Sequence, residues 1–593
     1  MTAIAAYVDG EVDGRSCLDE IQRRLAPFGG DRSRLWWSAG AGLAVCQRHT
    51  LPEDVHDREP EAIDGVALAA DVRLDNRLTL ARTLGIEAAA LPGVPDSMLV
   101  RRAWTRWGTS CTDHLVGEFA FIIWSVRERM LFAARDPIGA RPLCYARIPR
   151  RLAVASVPAA LVGLGGVSSA LDAVRVAQRL AGAPPDPERS YFEGVSLLPA
   201  GHTMTAVGDR IEVSRYWTWG RRPVRYARPS EYVEHFGELF EAAVEARLRS
   251  SVPVAALLSG GLDSGAVTVT AARALGSVGG RVRAITWQPR PGDVVPVDGR
   301  VTDEVPLAAS VSALHANIDH VVVTAPDVWV IDPLRAVAMA AGEPMRAMVN
   351  AAYFLATSQA LGGRYSALLV GQFGNFSISY RGLDAGPRWL WSRMRQLMRR
   401  HRRADVTGAL SPEFGRLYGE HLHDRPILRD SLAERRRLLQ WNDPGLVNAA
   451  LSAACGFDVR DPTADTSVVD YCLSIPDEEF RRGDDRRRLI RRAMRGRLPD
   501  ATLNATPRGM QAADWPRFIV PYREEFRRLL ADVERSPLAS RAINVGEVRR
   551  VLDDWPTPRH GARLRYLDVL VRALSLGDFI VGWEERGRRA AID

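Results

Sequence analysis

The sequence predicts a two-domain chain of mixed class. A β-rich sandwich fills the first third, and an α/β domain with a parallel sheet and a helical C-terminal part fills the rest. Three observations carry this. At 593 residues the chain exceeds what one hydrophobic core serves. Residues 1 to about 217 hold short strand-like runs, among them Gly65–Ala70, Phe119–Trp124, Met130–Ala134 and Arg151–Ala155. Val254–Leu258 is then a continuous apolar run, as expected of a strand covered on both faces in a parallel sheet.

The segment Gly220–Ser230 is polar, carries two prolines and has no hydrophobic period. The expected boundaries are therefore 1–217, a linker over 218–230, and 231–593. A helix is expected from Glu231 to about Arg249. Strands follow at Arg281–Trp287, His320–Thr324 and Tyr365–Gly371, with a helix starting near Thr302-Asp303-Glu304. Asp303 suits the N-cap of that helix better than a position facing a metal, because acidic groups are favoured at the positive end of the dipole.

Composition narrows the function classes. A hydrophobic content of 46% and a charged content of 25% are those of a soluble globular protein. No apolar run approaches bilayer length, and the start of the chain turns acidic at once, unlike a signal peptide. Six scattered cysteines without a C-x-x-C pair read as reduced thiols of a cytoplasmic protein. The charge of +8 arises from arginine alone, since the chain contains no lysine. Any fixed cation in a site must then be a guanidinium, which donates bidentately but does not titrate. The basic, tryptophan-containing stretch Arg388–Arg403 puts Leu390, Met394, Leu397 and Met398 on one helical face. It is expected to be an amphipathic helix with a solvated arginine face, not a nucleic-acid surface. The arginine run from Arg481 to Arg497 is read the same way.

The chemistry is expected at Ser259-Gly-Gly-Leu-Asp-Ser264, between the Val254–Leu258 strand and a helix running from Ser264 to Leu275. Glycines here let backbone N–H groups approach an anion at the positive end of the helix. Asp263 beside a phosphate requires a divalent cation between them. The motif lacks the Lys-Ser/Thr of a P-loop. It is similar to the PP-loop of ATP pyrophosphatases, which implies ATP and magnesium (Mg2+).

Glu118-Phe-Ala-Phe-Ile-Ile-Trp124, Arg135-Asp-Pro-Ile-Gly-Ala-Arg-Pro-Leu-Cys-Tyr145 and Leu198-Pro-Ala-Gly-His202 resemble the glutamine-amidotransferase domain of asparagine synthetases. The resemblance implies an Ntn-type amidotransferase-like sandwich over 1–217 and an ATP pyrophosphatase synthetase domain over 231–593. It continues through Val459–Asp465 and Pro507–Gln511. The first domain departs from the family in a way that implies it is degenerate. Thr2 stands where the family has its cysteine nucleophile, and Asp71-Val72-Arg73 stands for the Asn-Gly-Glu that builds the oxyanion hole. A carboxylate where an oxyanion must form opposes that catalysis.

The second glycine turn, Gly371-Gln-Phe-Gly-Asn375, departs too. Asn375 replaces the family's magnesium aspartate, and Gln372 replaces the glutamate that assists the attacking amine. Arg508 is the nearest cation to the lysine that relatives use in acyl transfer. The nucleotide-binding residues implied are Leu257, Ser259, Gly260, Gly261, Asp263, Ser264, Trp287 and Gly371, with Asp263 and Asn375 at the metal. Together with Gly342-Glu-Pro344, Asn350, Pro462–Asp465 and Arg508–Gln511, these departures look like the lasso peptide cyclases. That likeness places Glu343, Gln372 and Arg508 among the catalytic candidates. It implies a ribosomal core peptide as substrate, a side-chain carboxylate adenylated by ATP, and macrolactam closure by the peptide's own N-terminal amine. A leader-binding protein and a leader peptidase are the partners implied. Two other readings stand beside it, a small-molecule amide ligase of the β-lactam or asparagine type and a silent nucleotide-binding assembly platform.

Overall fold

The computed structural model describes residues 1–9, 14–38, 40–297, 299–344, 349–382, 408–422, 430–505, 508–555 and 562–590, with the backbone alone for 336, 337, 508, 564 and 588–590. The amphipathic stretch expected at 388–403 lies outside the described residues.

Period-two alternation builds the first domain. In the strand Ala3–Asp9, Ala3, Ala5 and Tyr7 face one core while Ile4 and Ala6 face another. Two six-stranded sheets result. One runs in the order Ser196–Leu197, Cys144–Ile148, Arg151–Ala155, Ala3–Asp9, Ala41–Gln47, Arg32–Ser38. The other runs Arg210–Arg215, His202–Val207, Met130–Arg135, Gly117–Ser125, Val66–Leu74, Ala62–Ile63. Ile4, Leu43 and Val45 of the first sheet pack on Ala69, Ile122 and Trp124 of the second. Helices cover both outer faces, Arg15–Leu25 through Leu18, Ile21 and Leu25, and Asp96–Trp107 through Leu99, Val100 and Ala103. These helices explain why Phe119–Trp124 is apolar at every position, since both faces of its sheet are buried.

Across residues 216–228 the chain forms no regular element, yet it is docked. The Gly220 N–H donates to Asp470 at 2.7 Å, and the Arg436 guanidinium donates to the Trp219 carbonyl at 2.7 Å. The helix Pro229–Leu248 then leads into a five-stranded parallel sheet. Its order is Ile318–Val323, Val282–Trp287, Val254–Leu257, Ala367–Leu369, Asp458–Arg460. Val254 and Ala256 face the helices Pro229–Leu248 and Leu262–Gly276, while Ala255 and Leu257 face the helix Asn350–Leu361. The edge strand Asp458–Arg460 lies in a stretch read only as family-like, because three residues between two loops carry no period.

The helical C-terminal part contains Arg523–Arg535, Val545–Asp553 and Arg572–Ala590. Its last helix returns to the first domain, where Trp583 packs edge-on against Phe192 at 4.8 Å. One hydrophobic cluster therefore runs through both domains. Among the described residues no helix is long and apolar enough to cross a membrane. None of the six cysteines is in a disulfide.

Candidate active site

Two glycine turns close the C-terminal ends of the adjacent strands Val254–Leu257 and Ala367–Leu369, the position where open parallel sheets bind ligands. In the first turn, the Ser259 N–H donates to Ser264 Oγ at 3.1 Å and the two hydroxyls lie 2.9 Å apart. Gly260 has φ +68°, and a Cβ there would lie 2.5 Å from Leu307 Cβ. Glycine is thus required for conformation and packing alike. The helix begins at Leu262, two residues earlier than its apolar period suggests, so Asp263 belongs to the first helical turn and not to the loop.

Asp263 is where the two turns meet. A Cβ on Gly374 would fall 2.3 Å from the Asp263 carboxyl carbon, and one on Gly371 would fall 3.0 Å from the Asp263 backbone carbon. Ser379 Oγ donates to Asp263 Oδ2 at 2.9 Å. Close backbone approach from the second turn, plus one hydroxyl, therefore holds this carboxylate in place.

The turns open on a cavity of about 960 Å³. Leu257, Ser259, Gly261, Asp263 and Ser264 line one wall. Gly371, Gln372 and Asn375 line the next, so most of the expected site residues converge here. Gly260 lies beneath the loop and does not line the cavity. Trp287 is buried beside it, with its indole N–H donating to Thr357 at 2.9 Å and its ring against Phe354. Glu343 is elsewhere. It is buried, and Arg175 of the first domain donates to its Oε1 at 3.2 Å, so the structure gives it an ion pair between domains. Arg508 contributes its backbone, paired in parallel with Arg300, and its side chain lies outside the described residues. Asp303 lies one residue before the N-cap, which is Glu304, and still accepts from the first helical N–H, that of Val305, at 3.0 Å.

Sequence reasoning missed part of the remaining wall. Glu304 lines it unforeseen, beside Asn350 and Gln511 that the cyclase likeness had singled out, with the Asn350 amide donating to Gln511 Oε1 at 2.9 Å. So do arginines from the supposed solvated run. Arg481–Arg482 and Asp485–Arg486 form a small hairpin, and Arg486, Arg487 and Arg491 line the cavity. Arg300 and Arg563 complete this wall. Burial and then the neighbouring Arg300 lower the Arg563 guanidinium, and its buried Nε has no hydrogen-bond partner. Asp568 beside Arg563 offsets this only in part, and a wall of arginines suits an anionic ligand. No sequence signal joins Arg300 to Arg508 or to Arg563, because those contacts are purely tertiary.

These residues suit ATP and magnesium. No group of three or more metal-ligating side chains occurs among the described residues. One carboxylate at Asp263 and one amide at Asn375 match a cation that keeps water and takes phosphate oxygens as its other ligands. The arginine wall would take the remaining phosphate charge.

The first domain presents the opposite picture. Asp71 and Arg73 do not line an open pocket. The Thr2 N–H donates to Asp71 at 3.2 Å, and Arg73 pairs with Asp75 and Glu118, both at 2.9 Å. Arg141 forks onto Asp458 of the synthetase sheet at 2.9 and 2.8 Å and reaches Glu118 at 3.4 Å. Arg247 returns from the second domain to Asp465 at 3.0 Å and to Glu118 and Asp75 at 3.5 Å. Burial alone would raise the Asp458 carboxyl, but the Arg141 guanidinium outweighs it and holds Asp458 well below the usual range. What remains beside Asp71 and Arg141 is a cavity of about 20 Å³, room for a water or two. The void between the two sites, touching Glu118 and Gln372, is about 30 Å³.

Comparison with known proteins agrees with this architecture. The asparagine synthase family model matches residues 235–574, and the glutamine amidotransferase domain model matches residues 1–217. The glutamine-hydrolyzing asparagine synthetase 3 of Bacillus subtilis is 23% identical over 538 residues, 85% of this chain and 86% of that protein. A putative asparagine synthetase of Mycobacterium tuberculosis is 28% identical over 281 residues, 44% of this chain and 43% of that protein. An amidase of Penicillium rubens, chyE, is 32% identical over 180 residues, 30% of this chain and 26% of that protein. The chain belongs to the asparagine synthase family. It is an ATP-dependent amide ligase of the AMP-forming kind.

Proposed function

We propose that this ligase closes a macrolactam on a ribosomal peptide, as a lasso peptide cyclase. One observation carries the reading: the site that would free ammonia from glutamine is filled with ion pairs, whereas the synthetase cavity is open. An amide ligase without its own ammonia source needs a nucleophile that arrives with the substrate. A peptide offering both a side-chain carboxylate and an N-terminal amine meets that need. The cavity, about 960 Å³, is large for one nucleotide and leaves room for a peptide segment.

The residues divide the work as follows. The N–H groups after Ser259 and the start of the Leu262–Gly276 helix would hold the pyrophosphate end of ATP, the co-substrate. Asp263, with Asn375, would hold magnesium, which would supply positive charge to offset that of the phosphates. A peptide carboxylate oxygen attacks the α-phosphorus and pyrophosphate leaves. The amine nitrogen then attacks the carbonyl carbon, the C–N bond forms, and AMP departs with the acyl C–O bond broken. Holding amine and activated carbonyl together can supply about 7–11 kcal/mol of the barrier. Asn375 and Gln372 orient without taking a proton, since neither amide titrates.

Peptide-dependent ATP–pyrophosphate exchange tests this reading. The purified protein should exchange with a synthetic leaderless peptide encoded beside its gene and return that peptide one water lighter. Exchange with aspartate or another small carboxylate alone would support the small-molecule ligase instead. A folded protein that exchanges with no carboxylate would be an assembly platform.

A further inference from the structure

The amide-forming step leaves a proton unplaced. Attack by a neutral amine gives a nitrogen with one hydrogen too many, and Gln372 stands where relatives keep a carboxylate. The charged and titratable groups of the cavity leave few candidates. Asp263 is committed to the metal, and the arginines cannot accept a proton. Among the described residues no cysteine or histidine lines the cavity, and Asp484, its other carboxylate, lies in the turn of the arginine hairpin.

Glu304 meets the geometric requirements. It is the residue immediately before the helix Val305–Ser312, and it lines the same cavity as Gln372 and Asn375 of the second glycine turn. It also borders the small void that contains Ser259, Trp287 and Tyr353. Its carboxylate rests on the backbone of Gly509, where a Cβ would lie 1.9 Å from Oε1. Only glycine at 509 admits it, in the segment where relatives carry their acyl-transfer cation. Among the described residues the Glu304 carboxylate has no hydrogen-bond or ion-pair partner, whereas Asp458, Asp465 and Glu118 each meet a guanidinium. We infer that Glu304 is the proton acceptor for the attacking amine, a catalytic residue taking the place vacated at Gln372.

In this step the amine lone pair forms the C–N bond, the acyl C–O electrons leave with AMP, and the nitrogen's proton passes to a Glu304 oxygen. Water removes that proton after the product departs. Burial, with Asp303 beside it in the chain, pushes the Glu304 carboxyl up to about 7, near the working pH favoured for a base. Among the described residues the other charges of the cavity are Asp263 in the first helical turn, Asp484, Arg486, Arg487 and Arg491 at the hairpin, and Arg300, Arg381 and Arg563. None of the described arginines offsets the burial of Glu304.

The inference rests on the cyclase reading, and the test separates the two. With the synthetic leaderless peptide, Glu304→Gln should keep ATP–pyrophosphate exchange within about threefold. Ring closure should fall by a hundredfold or more, the usual effect of losing a general base. Wild-type closure should decline as pH drops through 7, and that limb should vanish in the variant. Hydroxylamine, already neutral and nucleophilic at pH 7, should still trap the activated carboxylate as a hydroxamate in Glu304→Gln. Independently of turnover, infrared difference titration of the ligand-free protein should show a carboxyl band near pH 7 that is missing in the variant. Closure at the parental rate overturns the inference, and so does parallel loss of exchange, which would make Glu304 a nucleotide ligand. Absence of peptide-dependent exchange in the wild type would sink the cyclase reading. The infrared titration then decides Glu304 alone, and a band titrating at the ordinary value of about 4.3 overturns its role.

Discussion

Two charge-rich sites meet the same synthetase sheet, one at the C-terminal ends of its central strands and one at its edge strand Asp458–Arg460, and they have opposite characters. At the amidotransferase side, carboxylates and guanidiniums pair with each other. Arg141 forks onto Asp458, Arg73 spans Asp75 and Glu118, and Arg247 crosses from the other domain. At the synthetase side, Arg300 and Arg563 line a cavity, with Asp568 offsetting the burial of Arg563 only in part, and among the described residues Glu304 lines it without a basic partner. A site that must bind charged reactants leaves its own charges uncompensated. A site whose charges compensate each other has become a clamp. The comparison teaches that the same residue types join the domains where they pair with one another and line a cavity where they do not.

Substitutions at the two sites should therefore fail differently. Asp263→Ala should lower ATP–pyrophosphate exchange by about a thousandfold, the scale of losing a preorganised charge in a dry site, while circular dichroism and melting stay near the parental values. Wild-type-like exchange by the folded variant would remove the metal argument. Arg141→Ala should act through stability instead, costing about 3–5 kcal/mol in urea unfolding, because buried Asp458 loses its bidentate partner and keeps a longer contact to Arg460 at 3.5 Å. The double change Arg141→Met with Asp458→Leu should regain most of it, and its surviving fraction should exchange normally. If Arg141→Ala unfolds like the parent, the network is not a clamp.

The pH dependence of stability sharpens the contrast. Glu304 has a folded-state value raised from 4.5 to about 7, so its contribution is favourable below about pH 4.5 and is lost as pH rises through 7. Glutamine does not titrate, and Glu304→Gln should be more stable than the parent at pH 9 by about 3 kcal/mol. Asp458 has the opposite sign. Its value is depressed, so its contribution is present above the unfolded value and fades only as pH falls below it. Equal melting temperatures for Glu304→Gln and parent at pH 9 would count against the strain assigned to Glu304.

Arg508→Ala should slow ring closure about a hundredfold while adenylation persists, and Arg508→Lys should recover only part, lacking the planar fork. Should the variant close the ring at the parental rate, Arg300 or Arg563 on the same wall supplies that charge. The smallest effect is expected at Thr2→Ala. Ring closure should not change, and glutamine should be neither hydrolysed nor stimulatory. Glutaminase activity that disappears in Thr2→Ala would show that the first site is still catalytic.

Local pattern determined much of this protein. The apolar run from Val254, the Ser259–Ser264 motif, the alternation in Ala3–Asp9 and the second turn at Gly371–Asn375 are written in neighbouring residues, because strand period and turn chemistry act over a few positions. Tertiary structure alone decided where isolated charges went. Asp71 and Arg73 read as a damaged oxyanion hole and became part of a clamp. The arginines after Arg481 read as a solvated face, yet three of them line the cavity. Glu343 read as a reaction-site residue and is tied to Arg175 across the domains. Glu304 read as a helix-start acid and faces the cavity, across a contact with a glycine some 200 positions away in the chain. The physical reason is range. A turn or a strand period is settled by its own residues, whereas the fate of a charge depends on which partner folding brings within about 4 Å, and that partner can lie anywhere in the sequence.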